Sequence, residues 1–163
     1  MSIKVREVQL WECRIEDRPG GASAALKPLA DAKVNLEFVL ARRTPEEPGK
    51  GILFVAPITG CPAAEPAARA AGLAPAAGIA GLRVEGDDRA GTGQQLAGAV
   101  SAAGVSFRGM AANVVGKKYV CYVALDTADD ARKAAEAIKA LAPAPQPKAR
   151  KAKAAKRGRK RKK

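Results

Sequence analysis

Histidine is absent from this chain of 163 residues, and aromatic residues make up only 4% of it. Without histidine the usual general base, the usual zinc ligand and a side chain titrating near neutral pH are all missing. Cysteine occurs three times, at Cys13, Cys61 and Cys121, with no Cys-x-x-Cys spacing, so no metal site and no disulfide framework is expected. An odd number of thiols and an opening segment without a secretory n-region or h-region predict a reducing cytoplasm, with Cys13 and Cys121 buried in strand-like runs. No apolar run is long enough to span a bilayer, so no membrane partner is expected. No nucleophile elbow or Walker sequence occurs; Gly91-Thr92-Gly93 and Gly49-Lys50-Gly51 are too short for a phosphate loop. The chain is therefore read as a non-enzyme without a cofactor. Glu46-Glu47 and Asp129-Asp130 are acids of a turn and of a helix start.

Basic residues concentrate at the end of the chain, where acids are absent. Between Lys148 and Lys163 there are 11 basic residues and none that is acidic, which leaves 18 basic against 16 acidic elsewhere. The formal net charge of +13 thus belongs to the tail, and the body is nearly neutral. Ala142-Pro143-Ala144-Pro145-Gln146-Pro147 joins the two as a stiff extended linker.

What the body does contain is a repeat. Ile15-Glu16-Asp17-Arg18-Pro19-Gly20-Gly21-Ala22 recurs as Glu85-Gly86-Asp87-Asp88-Arg89-Ala90-Gly91-Thr92. Sliding one copy on the other without a gap also pairs Leu29 with Val100, Val34 with Val105 and Leu36 with Phe107. Each copy reads as a strand, a glycine turn and a helix. The backbone amides at such a helix start have no intrahelical acceptor, so Gly20, Gly21 and Ala22 can hold a small carboxylate, with Asp17 or Asn35 taking an ammonium. Helix capping by Asp17 and Asp88, worth about 1 kcal/mol, is the competing explanation, and Arg18 and Arg89 are then simply exposed charges.

In chain order, Val5 to Glu16 reads as one long strand or two short ones. A helix from Gly21 to near Lys33 contains Pro28, which is expected to kink it or shorten its first half. Val34 to Leu40 alternates, predicting a strand with Val34, Leu36, Phe38 and Leu40 on one face. Residues 44–50 form a polar turn, Gly51 to Ala56 the returning strand, and Pro62 to Ala71 a helix stopped by Gly72. Ala77 to Glu85 leads as a strand into the second turn, followed by a helix through Leu96 and Val100. A hairpin of 105–112 and 118–125 comes next, then a helix carrying Ala131, Ala134, Ala135, Ile138 and Leu141 behind the capping candidates of 126–130. The second copy lacks its last strand, and residues 2–8 are expected to fill that edge.

Read as β-α-β-β-α units with Asp-Arg-Pro-Gly at the first junction and Ala-x-Val-Asn-Leu entering the second strand, the chain from Val5 to Leu141 resembles the ACT domain, and most of all small stand-alone proteins of two ACT units in tandem. The resemblance implies an α+β class with two ferredoxin-like βαββαβ units, over 1–76 and 77–141, followed by linker and disordered basic tail over 142–163. It implies a regulatory protein that binds a small amino acid between units; units of this type tend to pair edge to edge, so a homodimer is open to it, the oligomeric state itself not being fixed by the sequence. The implied contacts are Asp17, Arg18, Pro19, Gly20, Gly21 and Asn35, with Asp88, Arg89, Gly91 and Thr92 in the second copy. There Ala90 replaces the proline and Ser106 the asparagine. The alternative function is non-specific nucleic-acid association through Lys156, Arg157, Arg159, Lys160, Arg161, Lys162 and Lys163, a polycation that would neutralise phosphates without reading bases.

Overall fold

The computed structural model describes residues 3–142. Strand-forming alternation and helix-forming alanine runs give the order β1 (Ile3–Val8), β2 (Trp11–Glu16), α1 (Gly21–Asp31), β3 (Phe38–Arg43), β4 (Lys50–Ala56), α2 (Ala64–Ala70), β5 (Ala74–Pro75), β6 (Ala80–Asp87), α3 (Thr92–Ala102), β7 (Phe107–Val115), β8 (Lys118–Leu125) and α4 (Ala128–Ala140). Two antiparallel sheets result, ordered β5-β2-β4-β3 and β1-β6-β8-β7. Both have the ferredoxin-like order, which puts the two hairpin strands and the first strand of a unit side by side and leaves one face for the helices. β1 pairs with β6 from Ile3 opposite Gly86 to Val8 opposite Gly81, filling the edge that the second copy leaves open. The matching strand of the first sheet, β5, is reduced to two residues beside Trp11 and Glu12.

Each sheet carries its own core on the helix side. Trp11, Cys13, Leu29, Leu53, Val55, Ala64 and Ala68 form the first, and Leu82, Val84, Val100, Cys121, Val123, Leu125, Ala134 and Ile138 the second. The many alanines let helices lie close to the strands, so a small side-chain volume closes both cores. α4 starts as its sequence requires: the Asp130 amide donates to the Thr127 hydroxyl at 3.1 Å, and Asp129 pairs with Lys133 at 2.7 Å. Pro28 sits inside α1, yet the helix runs on to Asp31 and the Pro28 carbonyl still accepts from the Ala32 amide at 3.1 Å.

The strand expected at Val34 to Leu40 starts only at Phe38. Lys33 takes a left-handed conformation (φ +56°) and the Val34 amide closes the helix on the Leu29 carbonyl, so the chain is still turning when its alternation begins. Val34 and Leu36 pack into the first core, whereas Phe38 packs with Leu10, Ala56 and Ala76. The four side chains therefore do not share one face. Leu10, Ala56 and Ala76 form a third cluster, joined by Val8, Phe38, Phe54, Ile79 and Ala124, where the helix-free faces of the two sheets meet.

Burial separates the thiols. The Cys121 thiol, fully enclosed in the second core, is pushed up to about 11, and burial with the nearby Glu12 charge raises that of Cys13. Cys61 is half-buried and its Sγ donates to the Ala32 carbonyl at 3.7 Å. Titration of the native protein with a chromogenic aromatic disulfide at pH 8 should show one fast thiol per chain, the other two reacting only in denaturant. Substituting Cys61 by Ser should remove the fast phase.

Candidate functional site

The two glycine turns are the same piece of backbone built twice. At the first, the Asp17 amide donates to the Gly49 carbonyl (3.0 Å), the Gly21 amide to Arg18 (3.0 Å) and the Ala24 amide to Gly20 (2.9 Å), with Gly20 at φ +88°. At the second, Asp88 donates to Lys117 (2.9 Å), Thr92 to Arg89 (3.1 Å) and Gln95 to Gly91 (3.0 Å), with Gly91 at φ +84°. The helices also end alike, the Val34 amide on Leu29 and the Val105 amide on Val100. Positive φ at Gly20 and Gly91 is what lets each chain reverse from strand into helix within a few residues.

The side chains depart from the sequence expectation. Neither α1 nor α3 has a side-chain cap, so the capping explanation for Asp17 and Asp88 does not hold. Asp17 is instead drawn to Arg43 on the neighbouring hairpin, with Nε at 3.0 Å from the carboxylate. The Gly21 amide is already used by Arg18, which leaves Gly20 and Ala22 without a protein acceptor among the described residues. Arg18, Pro19, Asn35, Arg89 and Ser106 are exposed; Asn35 lies between α1 and β3 and not on the strand. Thr92 is buried, its hydroxyl donating to the Arg89 carbonyl at 2.8 Å.

Gly21 and Thr92 occupy equivalent places with opposite tolerances. A Cβ on Gly21 would stand 2.2 Å from the Glu16 carbonyl oxygen, so any side chain must push the start of α1 away from the end of β2. Gly21→Ala should cost about 2 kcal/mol, the scale of a core steric defect, measured as a loss in urea denaturation monitored by Trp11 fluorescence. Thr92→Gly should cost less than half as much.

No protein-family model matches this chain, and no curated protein matches it. Solved structures do. Protein BT0572 from Bacteroides thetaiotaomicron superposes with a TM-score of 0.66 at 17% identity, over 83% of this chain and 90% of that one. The ligand-free regulatory subunit of aspartate kinase from Thermus thermophilus gives 0.61 at 16% identity, over 88% of this chain and 99% of that one. E. coli aspartokinase III in complex with lysine and aspartate (T-state) gives 0.54 at 12% identity, over 86% of this chain and 33% of that one.

The chain has the tandem ACT fold.

Among the described residues, cavities of about 610 and 480 Å³ on this ACT pair are lined neither by Asn35 nor by a residue of either turn. The larger opens between the helix-free faces of the two ACT sheets, beside contacts that sequence reasoning missed. Glu37, just before β3, accepts from Arg6 of β1 at 2.5 Å and pairs with Arg83 of β6 at 3.1 Å. Phe38 stacks on Tyr122 of β8 with ring centroids 4.3 Å apart, and the Arg83 Nε donates to the Tyr122 hydroxyl at 3.1 Å. Arg83 also pairs with Glu85, whose carboxyl it holds below the usual range by a hydrogen bond. The available signal was scarcity: in a chain so poor in aromatics, Phe38 and Tyr122 both fall on strand positions facing away from the helices.

Among the described residues no group of acids or cysteines is placed to hold a metal ion, and no helix is long and apolar enough to cross a membrane. The basic segment from Lys156 to Lys163 lies outside the described residues.

Proposed function

We propose that this chain is a non-catalytic regulatory protein that binds a small amino acid at its Asp-Arg-x-Gly turns, in a reducing cytoplasm where its three thiols stay free. The observation that supports the reading is the repetition of one turn geometry at both helix starts, within a fold that regulatory subunits of aspartate kinase also have. The remaining amides of Gly20 and Ala22 suit a carboxylate. Asn35 suits an ammonium or amide partner, but it follows the far end of α1, about 16 Å along the helix from the turn, so it would meet the same ligand only from a second copy. In this reading a second copy of the chain covers the ligand, hence a homodimer, since the cavities of about 610 and 480 Å³ are not at the turns.

Calorimetry of the full chain against each of the twenty amino acids tests it. One or a few should bind, and Asn35→Ala should weaken that binding about tenfold, the value of a lost hydrogen bond to a charged group. Folded protein that binds none of the twenty would remove the reading. The second reading, polyanion association by the 11 basic residues of 148–163, rests on that segment's charge. Removing the segment should abolish salt-sensitive DNA binding and leave amino-acid binding intact.

A further inference from the structure

The two ACT sheets do not close on each other along their whole length. From the sealed cluster of Leu10, Ala56 and Ala76 they diverge into the cavity of about 610 Å³, a volume within the range of small-molecule sites. The registers explain why it stays open. On one wall the rows across β2, β4 and β3 run from Phe38 opposite Ala56, through Glu12, Phe54 and Leu40, to Arg14, Ile52 and Arg42. On the other wall Gly81, Ala124 and Gly109 lie in one row across β6, β8 and β7. An apolar and aromatic wall thus faces a row with almost no side chains.

The polarity along the slot is graded. Its inner end is hydrocarbon, and its outer row sets two arginines on either side of Ile52. Arg14 is engaged by Glu47 at 2.8 Å, and Arg108 on the opposite wall by the Gly78 carbonyl at 2.7 Å and the Asp126 carboxylate at 3.5 Å. The Arg42 guanidinium has no ion-pair or hydrogen-bond partner among the described residues. With Arg14 and Arg108 paired to carboxylates, Arg42 is the lining cation left for a ligand among those residues.

We propose that this inter-sheet slot binds an organic acid with a flat apolar body, the ring lying between Phe54, Leu40 and the glycine row, and the carboxylate on Arg42. A guanidinium without a partner takes a carboxylate through two parallel hydrogen bonds, and an aromatic body replaces water against Phe38 and Phe54. The site shares no residue with the glycine turns and stands whether or not those bind amino acids.

The test uses 1-naphthoate and its neutral counterpart 1-naphthalenemethanol, titrated into the full chain by calorimetry and by amide NMR shifts. Naphthoate should bind about tenfold more tightly than the alcohol, with the largest shifts at Ile52, Ala111 and Ala124. Arg42→Gln should bring the acid down to the alcohol's affinity without changing the alcohol's. A Cβ on Gly109 meets no atom within 4 Å, so Gly109→Phe can fill the slot without a backbone clash and should abolish binding of both probes. Equal affinities for acid and alcohol, shifts located elsewhere, or full binding by folded Gly109→Phe would each overturn the proposal.

Discussion

Deleting residues 1–8 should cost the second unit its cooperative fold while the first unit survives. Among the described residues, β1 is the segment that covers the outer side of β6, pairing with it over six residues. Without it, β6 becomes an exposed edge next to Leu82 and Val84, which are otherwise fully enclosed. Ile3 and Val5 also pack on the second core. Losing two half-buried aliphatic side chains costs about 2 kcal/mol. The lost ladder bonds add about 0.5–1.5 kcal/mol each, so the sum is comparable to the whole stability of a small domain. Trp11, deep in the first core with Arg69 over its ring at 5.6 Å, reports on the other unit. In the shortened chain its fluorescence should still give a cooperative urea transition, whereas Cys121 should react with the disulfide reagent in native buffer. A synthetic peptide of residues 1–10 added in excess should restore protection of Cys121. A shortened chain in which Cys121 stays protected would show that the second sheet does not need this strand.

Much of this architecture is local chemistry and could be read from residues alone. The Asp-Arg-x-Gly repeat announces the duplication, and Thr127 with Asp129 and Asp130 announces α4. The apolar alternation of Tyr119, Cys121, Val123 and Leu125 fixes β8 to the residue. The open edge of the second copy, set against an unclaimed opening strand, was enough to place β1. What could not be read depends on partners distant in sequence. Val34 to Leu40 has strand periodicity, but the chain turns over between Leu36 and Phe38 because a second sheet, not solvent, covers the far face of the first. Asp17 was judged by its neighbours in sequence, and its carboxylate was claimed by Arg43 from the adjoining hairpin. The slot is less legible still: Gly81, Gly109 and Ala124 are unremarkable singly, and only the registers of three strands put them in one row.

The same inter-sheet contacts explain how two small units can act as one body. Each unit has a closed core of its own, so nothing in either core requires the other. The segment 35–38 makes the connection. It leaves α1 at Asn35, delivers the Glu37 carboxylate to Arg6 and Arg83, and lays Phe38 on Tyr122 within the next residue. A ligand that fixes Asn35 would therefore act two residues away from an ion-paired, aromatic joint, and would favour whichever arrangement of the units keeps that joint made.

Breaking the joint should separate the two units thermodynamically. Phe38→Ala removes a half-buried ring and its stacking partner's contact, at about 2 kcal/mol. Glu37→Gln leaves Arg83, whose side chain is only 12% exposed, with Glu85 as its remaining carboxylate; loss of a charge-assisted pair that is partly screened costs about 1 kcal/mol. The two changes touch the same neighbours, so the double variant should lose less or more than their sum, and the difference measures their cooperation. The decisive readout is coincidence of transitions. In the unaltered protein, urea unfolding followed by Trp11 fluorescence and by Cys121 exposure should superimpose, because the joint couples the cores. In the double variant the Trp11 curve should shift to lower urea while the Cys121 curve moves much less, since β1, β6, β7 and β8 keep their own ladders and their own helices. Curves that still superimpose after both substitutions would mean that the coupling runs elsewhere, through the cluster of Leu10, Ala56 and Ala76, and Leu10→Ala would then be the change that splits them.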